Sequence, residues 1–350
     1  MPSIRDVARE AGVSTATVSR AFSTPSLINV QTMERIRQAA LSLDYQPSRL
    51  RAPKGQPPTA VVGSGARNAV GFQFFGSGPC DGLSSNSFYA PILQGAQEQA
   101  SALGMYLLLH STHREAFAQE VPRMVRDQVI GGLLLLGNVD APIIATFAQH
   151  VPHVLLVDNR EESGQFDCVL SDGFGGAYAA MKYLFELGHR DRIAFLMSEK
   201  GGPTVQDRLR GYLCALFENG VSPDPRRVLR TTHADRERLE QIAGLLQAPD
   251  RPTALLCAND YHAHIVLRVC RDLGIKVPGD LSLVGFDDIE YSSHCDPPLT
   301  TIRVDKEEMG RVAMRHLYSL IHPGEGNLPH SPERHELPVT LVVRDSCRPL

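Results

Sequence analysis

The sequence predicts an α/β body holding two parallel sheets, preceded by a small all-α N-terminal domain. Three observations predict it. Seven short apolar runs, "AVGFQF", "MYLLLH", "GLLLL", "HVLLV", "RIAFLM", "TALLCA" and "LSLVGF", alternate with helical patterns such as "APILQGAQEQASALG" and "GGAYAAMKYLFELG". Their spacing of roughly 25 to 35 residues is that of βαβ units whose strands are buried on both faces. Residues 1–46 lack such runs and show three short helical periods with capping residues instead. Charge divides the chain in a similar place. Residues 1–56 carry eight Lys/Arg against four Asp/Glu, so the formal net charge of −4 leaves −8 on the remainder. A basic head on an acidic body points to a polyanionic partner for the head alone.

In the head, Ser3 is placed to cap a first helix whose apolar residues Ile4, Val7, Ala8 and Ala11 recur at i, i+3, i+4 and i+7. Gly12 stops that helix. Ser14 caps a second, with Val13 and Val18 in the positions of a hydrophobic staple. Asn29 caps a third, which carries Ile36, Ala39, Ala40 and Leu43 on one face. Three short helices with a tight turn between the first two describe a helix-turn-helix. Val7, Val18, Ile36 and Leu43 are its expected core. A Pro/Gly/Ser-rich tract then runs to about residue 67, where the βαβ texture begins.

Seven cysteines, at 80, 168, 214, 257, 270, 295 and 347, are odd in number and contain no C-x-x-C pair, which suits reduced thiols. No apolar run approaches the length of a membrane span, and the N-terminus has no signal-peptide pattern, so a cytoplasmic protein is expected. His110/His113 and His262/His264 have no further ligand at a metal-binding spacing, so neither a metal site nor a cofactor is expected. Asp287 and Asp288 are adjacent on one loop rather than a spaced acid–base pair. With no P-loop and no nucleophile–base motif, an enzyme is not expected.

Seven segments in order, "IRDVAREAGVSTATVSR", "LDYQPSRL", "ELGHRDRIAFL", "DRLRGY", "CANDYHA", "GIKVPGDLSLVGFDDIEYS" and "PPLTTIRVD", give the chain an end-to-end resemblance to the LacI/GalR family of bacterial transcription regulators. The resemblance implies a DNA-binding domain at 1–46, a hinge and linker at 47–67, and a type I periplasmic-binding-protein-like effector and dimerisation domain at 68–350. Two Rossmann-like lobes are implied, about 68–172 with 304–331 and about 173–303 with 332–350. It further implies a homodimer on a near-palindromic double-stranded operator, most simply a repressor, whose affinity is set by a small metabolite such as a sugar. A nucleobase or nucleoside effector is the alternative, and a cytosolic binding protein with no DNA role is a second one. The basic helix-turn-helix argues against the latter.

By the same resemblance Thr15, Ala16 and Arg20 fall at base-reading positions. Arg20 suits a bidentate contact to guanine, and the Ala16 methyl suits a thymine methyl. Thr17, Ser19, Asn29 and Thr32 fall at phosphate-contacting positions, which set register rather than sequence preference. Tyr45, Ser48, Arg49, Leu50 and Arg51 belong to the segment that enters the hinge. There Pro53 limits any hinge helix to roughly one turn, and Leu50 is the apolar side chain placed to wedge a base step. In the body, Arg208 of "DRLRGY" matches an arginine that grips effector oxygens. Asp287 and Asn259 match polar partners, Asp158 and Asp172 match cleft acids, and Phe88 with Tyr89 matches an aromatic platform. His233 stands where an aromatic stacking residue is common, Val304 where a glutamine is, and Gly173 where an asparagine is. These departures imply an effector different from those of the lactose and purine regulators.

Overall fold

Five consecutive residues, Gly132–Leu136, are all buried, and such a run needs cover on both of its faces. In the computed structural model they form an inner strand of a parallel sheet. Described are residues 4–15, 17–18, 21, 29–43, 68–76, 82–113, 121–137, 139–232, 234–323 and 330–350. The chain divides into two compact units, Met1–Ala60 and Val61–Leu350.

The first unit holds helices α1 (Ile4–Glu10) and α2 (Val30–Ser42), with residues 15, 17, 18 and 21 helical between them. Gly12 takes φ +62°, the left-handed conformation that ends α1 without a Cβ clash. Ser14 caps the middle helix, its Oγ accepting from Thr17 N at 3.1 Å. Asn29 Oδ1 accepts from Thr32 N at 2.8 Å and so caps α2. Val7, Ala8, Ala11, Val18, Ala21, Ile36, Ala39 and Ala40 make one small core, with Leu43 packed half-buried against it.

The second unit begins with β1 (Ala69–Gly76), α3 (Tyr89–Ala102), β2 (Tyr106–His113), α4 (Arg123–Arg126), β3 (Gly132–Leu136), α5 (Ala141–Ala148), β4 (Val154–Val157) and β5 (Asp167–Ser171). It continues through α6 (Gly173–Glu186), β6 (Ile193–Ser198), α7 (Pro203–Glu218), β7 (Val228–Thr231), α8 (Asp235–Gln247), β8 (Ala254–Cys257), α9 (Asp260–Leu273) and β9 (Ser282–Val284). Last come β10 (Thr301–Val304), α10 (Lys306–Ile321), β11 (Arg334–Leu337) and β12 (Val339–Val342). Two sheets result. One has six strands in the order β11-β5-β4-β3-β1-β2, the other four in the order β7-β6-β8-β9, and all neighbours within each are parallel.

The chain passes between the two sheets at Asp172, between β5 and α6, then at β10, and again between β11 and β12. β10 and β12 pair antiparallel beside one another, so the second and third passages are tied together. One boundary differs from the sequence expectation. That expectation puts Arg334–Leu337 in the second lobe, but the strand pairs with β5 and closes the edge of the first sheet. The strand is short and polar, "RHEL", and its pairing with β5 is not visible in periodicity. The hinge segment with Tyr45, Ser48, Arg49, Leu50 and Arg51 lies outside the described residues, as do Ala16, Ser19, Arg20 and His233.

α3 and α10 cross at two glycines. A Cβ on Gly95 would collide with the Glu307 carbonyl, and one on Gly310 with the Ile92 carbonyl. The pair brings the two helix backbones into contact on one face of the six-stranded sheet, setting where Tyr89, at the start of α3, stands.

Candidate functional site

In parallel sheets the strand ends and helix starts on one edge carry side chains that the sheet core does not use. Four of the expected effector residues occupy such places and come together. Tyr89 opens α3, Asp158 follows β4, Arg208 lies in the second turn of α7, and Asp287 follows β9 after Phe286. Tyr89 Oη donates to Asp158 Oδ2 at 2.9 Å. Arg208 Nη2 stands 3.1 Å from Asp287 Oδ1, an ion pair with both side chains buried. Arg208 Nη1 donates to the carbonyl of Ala258, and its guanidinium carbon sits 3.8 Å from the centroid of the Phe286 ring. Tyr89 and Asp158 come from the six-stranded lobe, Arg208 and Asp287 from the four-stranded one.

Charge in this cluster is balanced at a cost. Burial raises the Asp158 carboxyl, with Arg208 and the Tyr89 hydroxyl pulling it back. Burial also pushes Asp287 up to about 6, against the attraction of Arg208 and with the repulsion of Asp158. Burial first, and Asp158 second, hold the Tyr89 phenol well above its ordinary value. Two buried polar atoms here make no hydrogen bond, Asp158 Oδ1 and Arg208 Nε, and Asp287 Oδ1 has only its ion pair with Arg208. Buried polar groups almost always find partners, so two orphaned atoms in one cluster leave it with hydrogen-bonding capacity that the fold does not use. The backbone agrees, since Asp158 (φ 54°), Asp287 (φ 107°) and Asp288 (φ 49°) are all held in the left-handed region. Such strain collects where side chains must be aimed.

The remaining expected residues have other duties. Asp172 Oδ1 accepts from Gly175 N at 2.7 Å and caps α6, while Asn259 Oδ1 accepts from His262 N at 3.0 Å and caps α9. Both flank the cluster through their chain neighbours: a Cβ on Gly173 would lie 3.3 Å from Arg208 Cγ, and Ala258 accepts from Arg208. Phe88 is half-buried, with its ring edge-on to Tyr89 at 5.0 Å between centroids. Tyr89 in turn lies 4.9 Å from Phe74, so both platform rings pack into the first lobe. Asp288 has each oxygen in an ion pair, with Arg303 and Arg344, both at 2.7 Å, and fixes the loop.

Several supporting residues were not singled out in the sequence. Lys306 Nζ donates to the carbonyls of Asp287 (2.6 Å) and Asp288 (3.0 Å), which holds that strained turn. Asp260, pushed up to about 7 by burial and then by Asp287, accepts from Thr301, Ser292 and the backbone of Ile289. Arg160, just after β4, forms a bidentate ion pair with Asp207 of α7, joining one lobe to the other. Asp207 stands inside the quoted "DRLRGY", yet nothing in that motif names Arg160 as its partner. Beside the cluster a cavity of about 600 Å³ opens between the lobes, lined by Ser84, Asn86 and Pro91 on one side and by Asp288, Arg303 and Lys306 on the other.

A two-lobe body with an unsatisfied polar cluster between the lobes, in one chain with a basic helix-turn-helix, defines a DNA-binding regulator that answers to a small molecule. Residues 3–48 match the model of bacterial regulatory proteins of the lacI family, and residues 181–347 match a periplasmic binding protein-like domain. The HTH-type transcriptional repressor CytR of Escherichia coli (strain K12) is 30% identical over 99% of this chain and 96% of its own length. The repressor PurR of Photobacterium profundum is 27% identical over the full length of both. Among solved structures, the CelR–cellobiose complex superposes with a TM-score of 0.71 at 28% identity, covering 99% of this chain and 100% of that one. The lac repressor dimer bound to operator and the anti-inducer ONPF gives 0.67 at 26%, covering 99% of each. The chain belongs to the LacI/GalR family of transcription regulators, as a metabolite-controlled, DNA-binding repressor. No helix among the described residues is long and apolar enough to cross a membrane.

Proposed function

We propose that this repressor binds a neutral, polyhydroxylated metabolite at Tyr89, Asp158, Arg208 and Asp287, and that this binding sets its affinity for operator DNA. The observation that carries it is the pair of buried atoms without a hydrogen bond, Asp158 Oδ1 and Arg208 Nε, beside the buried Arg208–Asp287 ion pair. Two carboxylates flank the single arginine, so the site has no spare positive charge for an anionic effector. Adjacent hydroxyl groups suit it better, donating to the carboxylates and accepting from Arg208. A sugar has such a pair, and so does the ribose of a nucleoside. Phe88 would line the approach, and Asp172 and Asn259 would shape the rim as helix caps. His233 remains a candidate stacking residue.

On the DNA side, Thr15, Ala16 and Arg20 would read bases, and Thr17, Ser19, Asn29 and Thr32 would hold phosphates, with residues 45–51 completing the contact. Two copies would meet the two halves of a near-palindrome. β2, an edge strand of the first sheet, exposes Tyr106 and Leu109 at 72% and 52%, an apolar edge of the kind a second copy covers. A cytoplasmic regulator without enzymatic activity is the corresponding expectation.

Thermal-shift measurements against sugars, polyols, nucleobases and nucleosides test the effector class, because a ligand of the native state raises stability by mass action. Sugars or nucleosides should stabilise the protein, and Arg208→Ala should erase the shift while leaving DNA binding in place. A shift with free nucleobases alone, or one that survives Arg208→Ala, would refute the assignment.

A further inference from the structure

We propose that the outer edge of the six-stranded sheet holds a divalent transition-metal ion of the zinc class, ligated by His316 Nδ1, Glu333 Oε2 and His335 Nε2, with Asp167 as the carboxylate that orients His316.

Sequence spacing gave no reason to expect a metal here, since the groups stand at positions 167, 316, 333 and 335. The fold brings them together. β11 pairs with β5 so that Cys168 N bonds to the Glu333 carbonyl, and Glu333 N donates to Asp167 Oδ1 at 3.0 Å. Glu333 directly precedes β11 and His335 is its second residue, so in extended chain the two, standing two apart, share a face. α10 supplies His316 to that face.

His335 Nε2 lies 3.2 Å from His316 Nδ1 and 3.2 Å from Glu333 Oε2, and the ligand atoms of the three groups all lie within 4.8 Å of one another. A tetrahedral ion with bonds of about 2.0–2.1 Å sets its ligand atoms roughly 3.4 Å apart, so little rearrangement is needed. The other nitrogen of His316 is engaged. Nε2 stands 2.8 Å from Asp167 Oδ1, and when it donates to that carboxylate the lone pair of Nδ1 faces the other two ligands. This carboxylate–histidine arrangement is the one that fixes the tautomer of a metal-bound imidazole.

Burial is graded as a closed but reachable site requires. The side chains of Asp167 and His316 are 9% and 10% exposed, while those of His335 and Glu333 are 38% and 57% exposed and leave one side open to solvent. Two imidazoles and one carboxylate favour zinc, cobalt or nickel over magnesium or calcium, and the open side leaves room for water as a fourth ligand. An ion here would join α10 to β11, the last helix and the last strand of the first lobe.

A second grouping, Asp167 with His316 and His330, competes for the same histidine. Its Nε2 atoms both lie 2.8 Å from Asp167 Oδ1, a hydrogen-bonding separation shorter than two ligands of one ion adopt. His330 is therefore placed on the orienting carboxylate and not on the metal.

The test is a Co2+ titration of the full, untagged chain, read by the visible d–d absorption of the bound ion, followed by displacement with Zn2+. One equivalent should bind with a four- or five-coordinate spectrum that Zn2+ removes, and Zn2+ should raise the melting temperature. His335→Ala and Glu333→Gln, at the half-exposed ligands, should each weaken Co2+ binding by about tenfold or more, whereas His330→Ala should retain the spectrum. Absence of a Co2+ spectrum in the wild type overturns the proposal. So does an unchanged affinity in His335→Ala, or a loss in His330→Ala as large as in His335→Ala. Circular dichroism of the variants separates lost ligands from lost folding.

Discussion

Arg208 and Asp287 were singled out because "DRLRGY" and "GFDD" resemble motifs of the family. What each residue touches was not legible. The stacking of Arg208 on Phe286 and the grip of Lys306 on the Asp287 turn depend on loops far apart in the chain. Asp172 and Asn259 show the opposite case, where a polar residue at a strand end serves as a helix cap as readily as a ligand contact. The buried acids make the pH dependence specific. Asp287 rises from 3.8 to about 6, and Asp260 to about 7, so the native chain binds protons more tightly than the unfolded one in that window. Both groups therefore contribute most to stability at low pH, and that contribution is lost as pH rises from about 4 to about 7. Urea unfolding at pH 4.5, 5.5 and 7 should show Asp287→Asn with a shallower decline than wild type between about pH 4 and 6. Parallel declines would rule out Asp287 as a source of the slope. Effector affinity should move the other way, weakening below about pH 6, where Asp287 loses the charge that accepts hydroxyl hydrogens. Calorimetric titration across that range checks it.

Strands with four or more consecutive apolar residues, such as β3 and β4, stand out in the sequence because burial on both faces demands them. β5 "DCVLS", β7 "VLRT" and β11 "RHEL" are short and mixed, and they were missed among the apolar runs. Their strand character comes from neighbours: β11 exists as an edge on β5, and no local pattern announces it. The three head helices were legible because caps and stops are local, and Ser14, Asn29 and Gly12 act where the sequence placed them. Asn29→Ala should lower the stability of the head by about 1 kcal/mol, read from the melting of the N-terminal unit. An unchanged melting curve would mean the cap contributes nothing. The crossing of α3 and α10 makes a stronger demand. Gly310→Ala forces the helices apart against the Ile92 carbonyl, and a loss of about 1–3 kcal/mol in denaturant unfolding is expected. A variant as stable as wild type would show that the helices separate freely.

At the scale of the whole molecule, alternating strands and helices made two parallel sheets legible, but the third crossover was placed before Arg334–Leu337 instead of after it, because that strand is defined by its pairing with β5. The Arg160–Asp207 ion pair, mostly buried and bidentate, spans the two lobes, and an arrangement in which they part would lose it. Asp207→Asn should raise the effector concentration needed for half response by roughly fivefold, about 1 kcal/mol of coupling, without altering the effector-free affinity for DNA by as much. Operator titrations with and without effector separate these. The claim on which all of this rests is that effector binding at Arg208 controls DNA binding by the head. It is tested most directly by fluorescence anisotropy on an operator fragment selected from random DNA, using the compound that gives the largest thermal shift. Wild type and Arg208→Ala should bind that operator equally well in the absence of the compound, both far more tightly than random DNA at the same salt concentration. The compound should change the wild-type affinity by about tenfold or more and leave Arg208→Ala unmoved. An Arg208→Ala variant that responds as wild type does, or a wild type that binds operator and random DNA alike, would contradict it.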